Sequence, residues 1–361
     1  MIKTLTSFRF FAAIFVVMHH MLYYTGLGSV AVTFFFILSG FILTYNYHDK
    51  FNELTRESYF KFFKSRFARV YPLHFLTFIL SYIPIYYFKL DYSIKDTIAN
   101  VFLFQTYIPN YKDVFSFNGV SWSISTEFFF YITFPFVMFV VSKLKKKVLS
   151  SAIIAVVLFA ICAVIGYSLN DKMGAYQVGW WAVYVFPPFR FVDFFSGMVL
   201  GLLYLKITDH VRRNPIPFTI LEVGSLLLFY VILQHHYMEI SAFFFSLYYL
   251  PFLCLIVFVF SFQAGLISKI LSLRIFVHLG EISYSTYMIH QLVILYTVIF
   301  LSNGIYNRTS YLQHNLAQLF VVLIIIALSD ISYRYFENPM RKLINNLKID
   351  TLTTSNVKQT A

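Results

Sequence analysis

The sequence has 361 residues, of which 59% are hydrophobic and only 12% are charged. This composition excludes an ordinary soluble domain, because apolar runs long enough to cross a membrane recur along the chain. The formal net charge of +12 could suggest a nucleic-acid partner. No soluble basic domain is visible to bind one, and the positive-inside rule explains the excess better. Both cysteines lie within apolar runs and indicate neither a disulfide framework nor a metal site. We therefore expect an all-α polytopic membrane protein.

Hydropathy predicts a bundle of about ten transmembrane helices. The predicted spans are residues 3–24, 30–47, 71–88, 120–142, 148–168, 180–205, 215–234, 241–263, 276–301 and 314–334. Segments on one side of this bundle carry 20 Lys and Arg residues, and the opposite loops carry 5. Both termini are therefore predicted to be cytoplasmic. Residues 1–345 form the predicted membrane domain, whose last helix should stop at Pro339, and the polar tail 346–361 is expected to be disordered.

The first predicted span carries two polar residues, Arg9 and His20, eleven positions apart. Eleven residues make about three helical turns, so both lie on one stripe with Ala13 and Val16, whereas His19 lies off it. Arginine at the centre of a membrane helix costs roughly 2.5–3.5 kcal/mol, so it usually faces protein, water or a ligand. This stripe is a candidate site. The alternative is a snorkelling arginine and a histidine that is hydrogen-bonded to a neighbouring helix.

Two arginines lie just before the third predicted span. Arg66 and Arg69 are one helical turn apart and share a face. Guanidinium groups placed in this way can hold phosphate oxygens in bidentate geometry at the cytoplasmic mouth of the span. The positive-inside rule explains either arginine alone, so a phosphate site and a topology signal are both possible interpretations.

The fourth predicted span opens with Trp122 and Ser123, and Glu127 follows on the same face as Ser123. Glu127 should lie about a third of the way into the membrane from the outside, at a depth similar to that of His20. A carboxylate that accepts a proton from one imidazole nitrogen leaves the other nitrogen as a base. His20 and Glu127 are therefore a candidate dyad, if their helices touch.

Small residues in two spans are interpreted as structural. Ser39 and Gly40 interrupt an aromatic helix, and Gly197 and Gly201 form a Gly-x-x-x-Gly step. Small residues of this kind let membrane helices approach each other closely. The sequence therefore predicts close-packing points at both places.

Two further polar groups lie within predicted spans. Arg190 and Asp193 have opposite charges three residues apart, and we expect them to neutralise each other, with a cofactor contact as the alternative. Ser283, Tyr287 and His290 form a stripe at positions i, i+4 and i+7 that should face protein. A histidine in such a stripe is more often a satisfied hydrogen-bonding group than a catalyst.

Taken together, these stretches resemble the membrane acyltransferase family often called acyltransferase 3, which includes bacterial polysaccharide O-acetyltransferases and nodulation-factor acetylases. The resemblance covers nearly the whole chain, and the order of the motifs is more specific than any one of them. It rests on Arg9 with His20, the stretch from Phe34 to Phe41, Arg66 with Arg69, Trp122 and Ser123 with Glu127 and Tyr131, Ser283 and Tyr284 with Tyr287 and His290, and Glu337 with Pro339. The second span departs from the pattern, because Val32 and Thr33 stand where many members carry an acidic residue.

The resemblance implies transfer of an acyl group, commonly acetyl, from cytoplasmic acyl-CoA to a hydroxyl of an envelope or exported carbohydrate, without a metal. The protein would then lie in the cytoplasmic membrane of a bacterium. In this scheme Arg66 and Arg69 hold the head of acyl-CoA, and its pantetheine arm passes Arg9. His20 accepts the proton of the attacking hydroxyl, and Glu127 orients the imidazole.

Four more residues complete the predicted site in substrate-contacting or supporting roles: Trp122, Ser123, Tyr287 and His290. Either Ser123 or Trp122 would donate a hydrogen bond to the developing oxyanion. The residues are compatible both with direct transfer and with an acyl-enzyme on His20 or a serine. The acceptor carbohydrate could be lipid-linked.

Two other classes of membrane protein fit part of this pattern. A multi-pass transporter also carries polar stripes, but the common folds show repeat halves with matched broken helices, which are not visible in this sequence. A lipid-linked glycosyltransferase or polymerase is expected to present acidic metal ligands or a large outer loop. The longest outer loop has roughly 30 residues and only three acids, namely Asp91, Asp96 and Asp113. Binding of CoA to the purified protein would distinguish the acyltransferase from the transporter.

Overall fold

The computed structural model describes residues 2–22, 27–169, 178–236, 247–301 and 315–347, and within these ranges the chain forms helices and no strand. The helices are α1 (Lys3–Leu22), α2 (Leu27–Tyr47), α3 (Arg56–Leu80), α4 (Tyr82–Tyr87), α5 (Ile94–Val101), α6 (Tyr111–Val114), α7 (Trp122–Lys143), α8 (Lys147–Ser168), α9 (Val178–Trp180), α10 (Pro187–Ile207), α11 (Pro215–His236), α12 (Leu250–Ser261), α13 (Leu266–Leu271), α14 (Arg274–Glu281), α15 (Ser283–Leu301), α16 (Asn315–Ser332) and α17 (Asn338–Asn346). Short 3₁₀ turns lie at Gln105–Tyr107 and Gly119–Ser121, and π-helical turns lie at Trp181–Val185 and Tyr333–Glu337.

The described helices confirm a multi-pass helical membrane architecture. Eight of them, alone or joined, are long and apolar enough to cross a membrane, and the bent pair α14 and α15 makes a ninth when it is counted as one span. The predicted span 241–263 contains the shorter α12, and its beginning lies in residues 237–246, outside the described ranges. The count of ten, the domain boundary and the side of the termini stay predictions, and the tail beyond residue 347 also lies outside the described ranges.

The third helix begins well before the predicted span. Thr55 caps α3 at Arg56, because its side chain accepts from the backbone N–H of Ser58 while the Ser58 side chain accepts from the backbone N–H of Thr55. Such a reciprocal cap satisfies two backbone donors that a helix start leaves unpaired. The segment 48–70, predicted as an inner loop, is therefore helical over most of its length. Its two predicted phosphate-binding arginines lie on this helix.

Two spans predicted as continuous are broken. Helices α14 and α15 meet at an angle of 59°, and a Cβ on Gly280 beside that break would collide with the backbone carbonyl of Thr6 on α1. In the sixth span the π-helical turn ends at Val185, the chain is extended at Phe186, and α10 starts at Pro187. Hydropathy averaged over a whole span does not detect either break, although Glu281 lies beside the first and Pro187 beside the second.

The last helix does not stop at Pro339, contrary to the prediction. Pro339 occupies the first turn of α17, which follows the π-helical turn and continues to Asn346. A proline is tolerated there because the first N–H groups of a helix have no partner within the helix. The helical path therefore continues through Pro339 to Asn346.

The contact between α2 and α10 lies at the centre of the bundle. A Cβ on Gly40 would collide with the carbonyl oxygen of Phe194, and a Cβ on Gly197 would collide with that of Ile37. Gly201 faces α2 in the same way. The backbones of the two helices thus approach each other without room for side chains, which is how small residues pack membrane helices. The predicted packing roles of these glycines are confirmed.

Candidate active site

A cavity lies between α1, α2, α3, α7 and α15. Counted together with the open space at its mouth, it has a volume of about 730 Å³. Its polar lining consists of Arg9, Ser39, Arg66, Arg69, Ser123, Glu127, Tyr131, Ser283, Tyr284 and Tyr287. The remaining lining is apolar and comes mostly from α2. Six residues that the sequence singles out for the site are therefore brought together: Arg9, Arg66, Arg69, Ser123, Glu127 and Tyr287.

The cavity is rich in guanidinium groups. Arg66 and Arg69 reach it from one face of α3 and Arg9 reaches it from α1. None of the three has a carboxylate partner within 4.0 Å among the described residues. Arg66 donates over 3.4 Å to the hydroxyl of Tyr47 and over 3.2 Å to that of Ser65, and its buried Nε has no hydrogen-bond partner in the described structure. Since buried donors are nearly always paired, this arrangement is suited to an anionic ligand with several oxygens.

Glu127 contributes a carboxylate to the same cavity. Its Oε1 accepts hydrogen bonds from the hydroxyls of Ser39, over 3.1 Å, and Tyr131. Arg9 lies within electrostatic range of it. Sequence reasoning gives Ser39 a packing role only and misses this contact. Neighbouring positions on a helix point about 100° apart, so Gly40 can face α10 while Ser39 faces α7. A hydroxyl next to a close-packing glycine is the signal that could have identified Ser39 as a residue that faces the cavity.

His20 lies outside the lining of the cavity. Its ring centroid is 5.0 Å from that of His290, and its Nδ1 is 3.1 Å from His290 Nε2. Ala13 and Val16 are buried, so the predicted stripe on α1 does face protein. The hydrogen bonds of Glu127 go to two hydroxyls instead. The structure thus places the members of the predicted dyad in different hydrogen-bond networks, and His290 occupies the place beside His20 that the sequence assigns to Glu127.

Tyr287 separates the cavity from the two histidines. It lines the cavity, and its ring centroid is 5.9 Å from that of His290. Its hydroxyl lies 2.7 Å from Ser123 Oγ and donates over 3.0 Å to the carbonyl oxygen of Val120. These bonds join α15 to the start of α7. Trp122 lies outside the lining and packs against neighbouring aromatic rings, so Ser123 and Tyr287 are the supporting residues that face the cavity.

Arg190 and Asp193 form a fully buried ion pair with an Nη2–Oδ2 distance of 2.7 Å. Arg190 also donates over 2.8 Å to the hydroxyl of Thr33 and lies over the rings of Phe36 and Tyr184. The expected neutralisation is confirmed. The pair lies outside the lining of the cavity, which argues against the alternative of a cofactor contact.

Comparisons with known proteins identify relatives over most of the chain. Residues 2–334 match the model of the acyltransferase 3 family, which is described as an acyltransferase domain. The chain is 30% identical over 240 residues to the acyltransferase MdmB of Streptomyces mycarofaciens, with 59% of each protein covered. It is 24% identical over 364 residues to the O-acetyltransferase OatA of Staphylococcus aureus, with 94% of this chain and 57% of OatA covered. The chain thus spans less than two thirds of the length of either relative. No solved structure matches it.

Proposed function

Because this chain belongs to the acyltransferase 3 family, we propose that it transfers an acyl group, specifically acetyl, from cytoplasmic acyl-CoA to a hydroxyl of an envelope or exported carbohydrate. The observation that carries this proposal is a cavity with three arginines, none of which is paired with a carboxylate among the described residues. The proposed location is the cytoplasmic membrane of a bacterium, with both termini in the cytoplasm. Membership in an acyltransferase family favours this enzyme over the transporter alternative.

The donor binds through its phosphates. Arg66 and Arg69 hold the head of acyl-CoA at the end of the cavity that the positive-inside rule assigns to the cytoplasm. Their planar guanidinium groups match phosphate oxygens in bidentate geometry, and the buried Nε of Arg66 gains the acceptor that it lacks in the described structure. Arg9 reaches the same cavity from α1, where the pantetheine arm passes. The thioester is placed beside Tyr287, whose ring centroid is 5.9 Å from that of His290, the neighbour of His20.

The transfer step moves one proton and exchanges one bond for another. The acceptor hydroxyl oxygen attacks the thioester carbonyl carbon, a C–O bond forms and the C–S bond breaks. His20 takes the hydroxyl proton and returns it to the leaving thiolate, so the products are an ester and CoA–SH. A general base in this role typically contributes about 10²- to 10⁴-fold in rate. Ser123 donates to the developing oxyanion when its hydroxyl turns its one hydrogen away from Tyr287.

The acceptor is proposed to be a carbohydrate hydroxyl, either on a free glycan or on a lipid-linked one. The name of OatA specifies O-acetyl transfer in that protein, and this supports an oxygen acceptor for the present chain. The cavity supports a phosphorylated donor and does not select among sugars, so the acceptor is best identified by product analysis.

Two experiments test the proposed function. The purified protein in nanodiscs is incubated with acetyl-CoA that carries a labelled acetyl group, and binding and release of CoA–SH are measured with and without glycan acceptors. Mass spectrometry then compares cell-surface glycans from a deletion strain and its complemented counterpart. We expect CoA binding, label transfer that depends on acceptor, and loss of acyl esters in the deletion strain. Failure to bind CoA, together with uptake of a small solute into proteoliposomes, would support the transporter instead.

A further inference from the structure

His290 is the deeply buried member of the histidine pair, with a fully buried side chain. Its Nδ1 lies 2.6 Å from the carbonyl oxygen of Tyr287 in the preceding helical turn. Its Nε2 lies 3.1 Å from His20 Nδ1, and that same His20 atom is 3.0 Å from the carbonyl oxygen of Val16. Both ring nitrogens of His290 are therefore engaged, one with a backbone carbonyl and one with His20.

The two carbonyl oxygens determine where the protons lie. A carbonyl oxygen only accepts hydrogen bonds, so the Nδ1 atoms of His290 and His20 must each carry a hydrogen. If His290 were protonated on both nitrogens, His20 Nδ1 would have to accept from it, and the contact with Val16 would then join two acceptors. The arrangement that satisfies all three contacts has a neutral His290, with the Nδ1–H of His20 shared between the carbonyl oxygen of Val16 and His290 Nε2. In neutral His20 the lone pair lies on Nε2.

We propose that His290 is a positioning residue for acyl transfer: by accepting the Nδ1–H of His20, it fixes the tautomer and ring orientation in which His20 Nε2 is the base. This inference rests on the proposed function, because it assigns a role within that reaction. The sequence gives the orienting role to Glu127, whereas the contacts give it to a neutral imidazole on α15.

The proposed step is balanced in protons. His20 Nε2 takes the proton of the attacking hydroxyl, and the resulting imidazolium keeps donating from Nδ1 to His290 Nε2. His20 then gives the Nε2 proton to the leaving thiolate, and the neutral pair is restored. A carboxylate partner would add a resting negative charge within the membrane, which is costly without a counter-ion. The neutral imidazole orients His20 without that charge.

Three substitutions distinguish an orienting role of His290 from a packing role. In H290Q the longer side chain can place an amide oxygen near the position of Nε2 and so accept from His20. In H290N the shorter amide remains polar but does not reach His20, and in H290F the ring is kept without an acceptor. For each variant in nanodiscs, kcat and the KM for acetyl-CoA are measured with the same acceptor, and the elution profile and thermal midpoint report folding.

We expect kcat to fall about 10- to 10²-fold in H290F and H290N, the range for losing a partner that orients a histidine, with an unchanged KM for acetyl-CoA. H290Q should recover most of kcat. Three folded variants with wild-type kcat would overturn the inference, and so would an equal loss in all three, because a packing role does not distinguish glutamine from asparagine. A wild-type protein that binds no CoA and transfers no label would instead contradict the proposed function.

A measurement on the wild-type protein keeps the inference testable if the variants do not fold. Magic-angle-spinning NMR of protein labelled with ¹⁵N-histidine reports which ring nitrogens are protonated, and the His20 signals are assigned by their loss in H20Q. We expect neutral His20 to carry its hydrogen on Nδ1 and His290 to accept at Nε2. A His20 ring protonated on Nε2 alone would overturn the inference.

Discussion

Arg190 and the arginines of the cavity all lie on helices that are long and apolar enough to cross a membrane, but only Arg190 has a carboxylate beside it among the described residues. Arg190 has a carboxylate at 2.7 Å, a hydroxyl at 2.8 Å and two aromatic rings beside it, and it is fully buried. Arg9, Arg66 and Arg69 line an open volume and lack a carboxylate partner within 4.0 Å among the described residues. A charge within a membrane span therefore does not by itself mark a site. What distinguishes the cavity arginines from Arg190 is that no described carboxylate lies within 4.0 Å of them.

The largest effect is expected when the two arginines of α3 are removed. R66A/R69A should weaken binding of acetyl-CoA by about 10² to 10⁴-fold, because each lost charge-assisted hydrogen bond is worth roughly 1.5–3 kcal/mol. Its thermal midpoint should stay close to that of the wild type, since no ion pair is lost. Isothermal titration in nanodiscs measures the affinity, and its salt dependence should be weaker in the variant.

R56A/K61A is the matched control for that double variant. Arg56 and Lys61 lie on α3 as well, are exposed, and do not line the cavity. The control removes the same charge from the same helix, so it should bind acetyl-CoA nearly as the wild type does. Equal losses in the two double variants would mean that the arginines act only through net charge.

Removal of Arg190 should give the opposite result. R190M leaves the buried carboxylate of Asp193 unpaired, so we expect destabilisation by about 3–5 kcal/mol, with little change in acetyl-CoA affinity per folded molecule. R190M/D193L removes both charges and should recover most of the stability, because buried ion pairs are often replaceable by apolar residues. Denaturant titration and ligand binding measure the two effects. A folded R190M that binds no acetyl-CoA would place Arg190 among the binding residues.

The surroundings of Arg190 also depend on the close approach of α2 and α10. This approach lets Arg190 on α10 reach Thr33 on α2. G197A should destabilise the protein by about 1–3 kcal/mol through overpacking. Gly224 on α11 is the matched control, because a Cβ there meets nothing within 4 Å. G224A should be neutral or slightly stabilising. Thermal midpoints of the two variants side by side test this, and equal midpoints would contradict the packing role.

Glu127 is expected to show the smallest effect of the cavity residues tested. E127Q keeps an oxygen that can accept from Ser39 or Tyr131 but removes the negative charge, so we expect acyl transfer to fall by about 10-fold, the effect of roughly 1.4 kcal/mol. The label-transfer assay gives the rate per folded molecule. If E127Q lost as much acyl transfer as is expected for H20A, Glu127 would have to be assigned as the direct partner of the base.

The sequence predicts the class of fold and most of the cavity, because both depend on one-dimensional patterns. Arg66 and Arg69 share a face through helical periodicity alone, and Gly40 and Gly197 pack closely because only their small size allows it. The pairing of His20 is different in kind. It depends on which helix lies beside α1, and the predicted depth that favoured Glu127 does not reveal that neighbour.

The breaks in the spans escape prediction for a related reason. Beside the bend before α15, Gly280 packs against the backbone of Thr6, a contact between distant parts of the chain. Hydropathy measures transfer from water to lipid and contains no information on direction. The start of α3 at Arg56 is a local feature that the Thr55 cap could have revealed.

The central claim is that the arginine-lined cavity binds the donor while His20 carries out the proton transfer. The most direct test measures acetyl-CoA binding and acetyl transfer in parallel for the wild type, H20A and H19A, with transfer expressed per folded molecule. H20A should bind acetyl-CoA as the wild type does and lose at least about 10²-fold in transfer, the cost of losing a general base. His19, which packs against Gly28, should matter much less. Near-normal transfer by H20A would contradict the account.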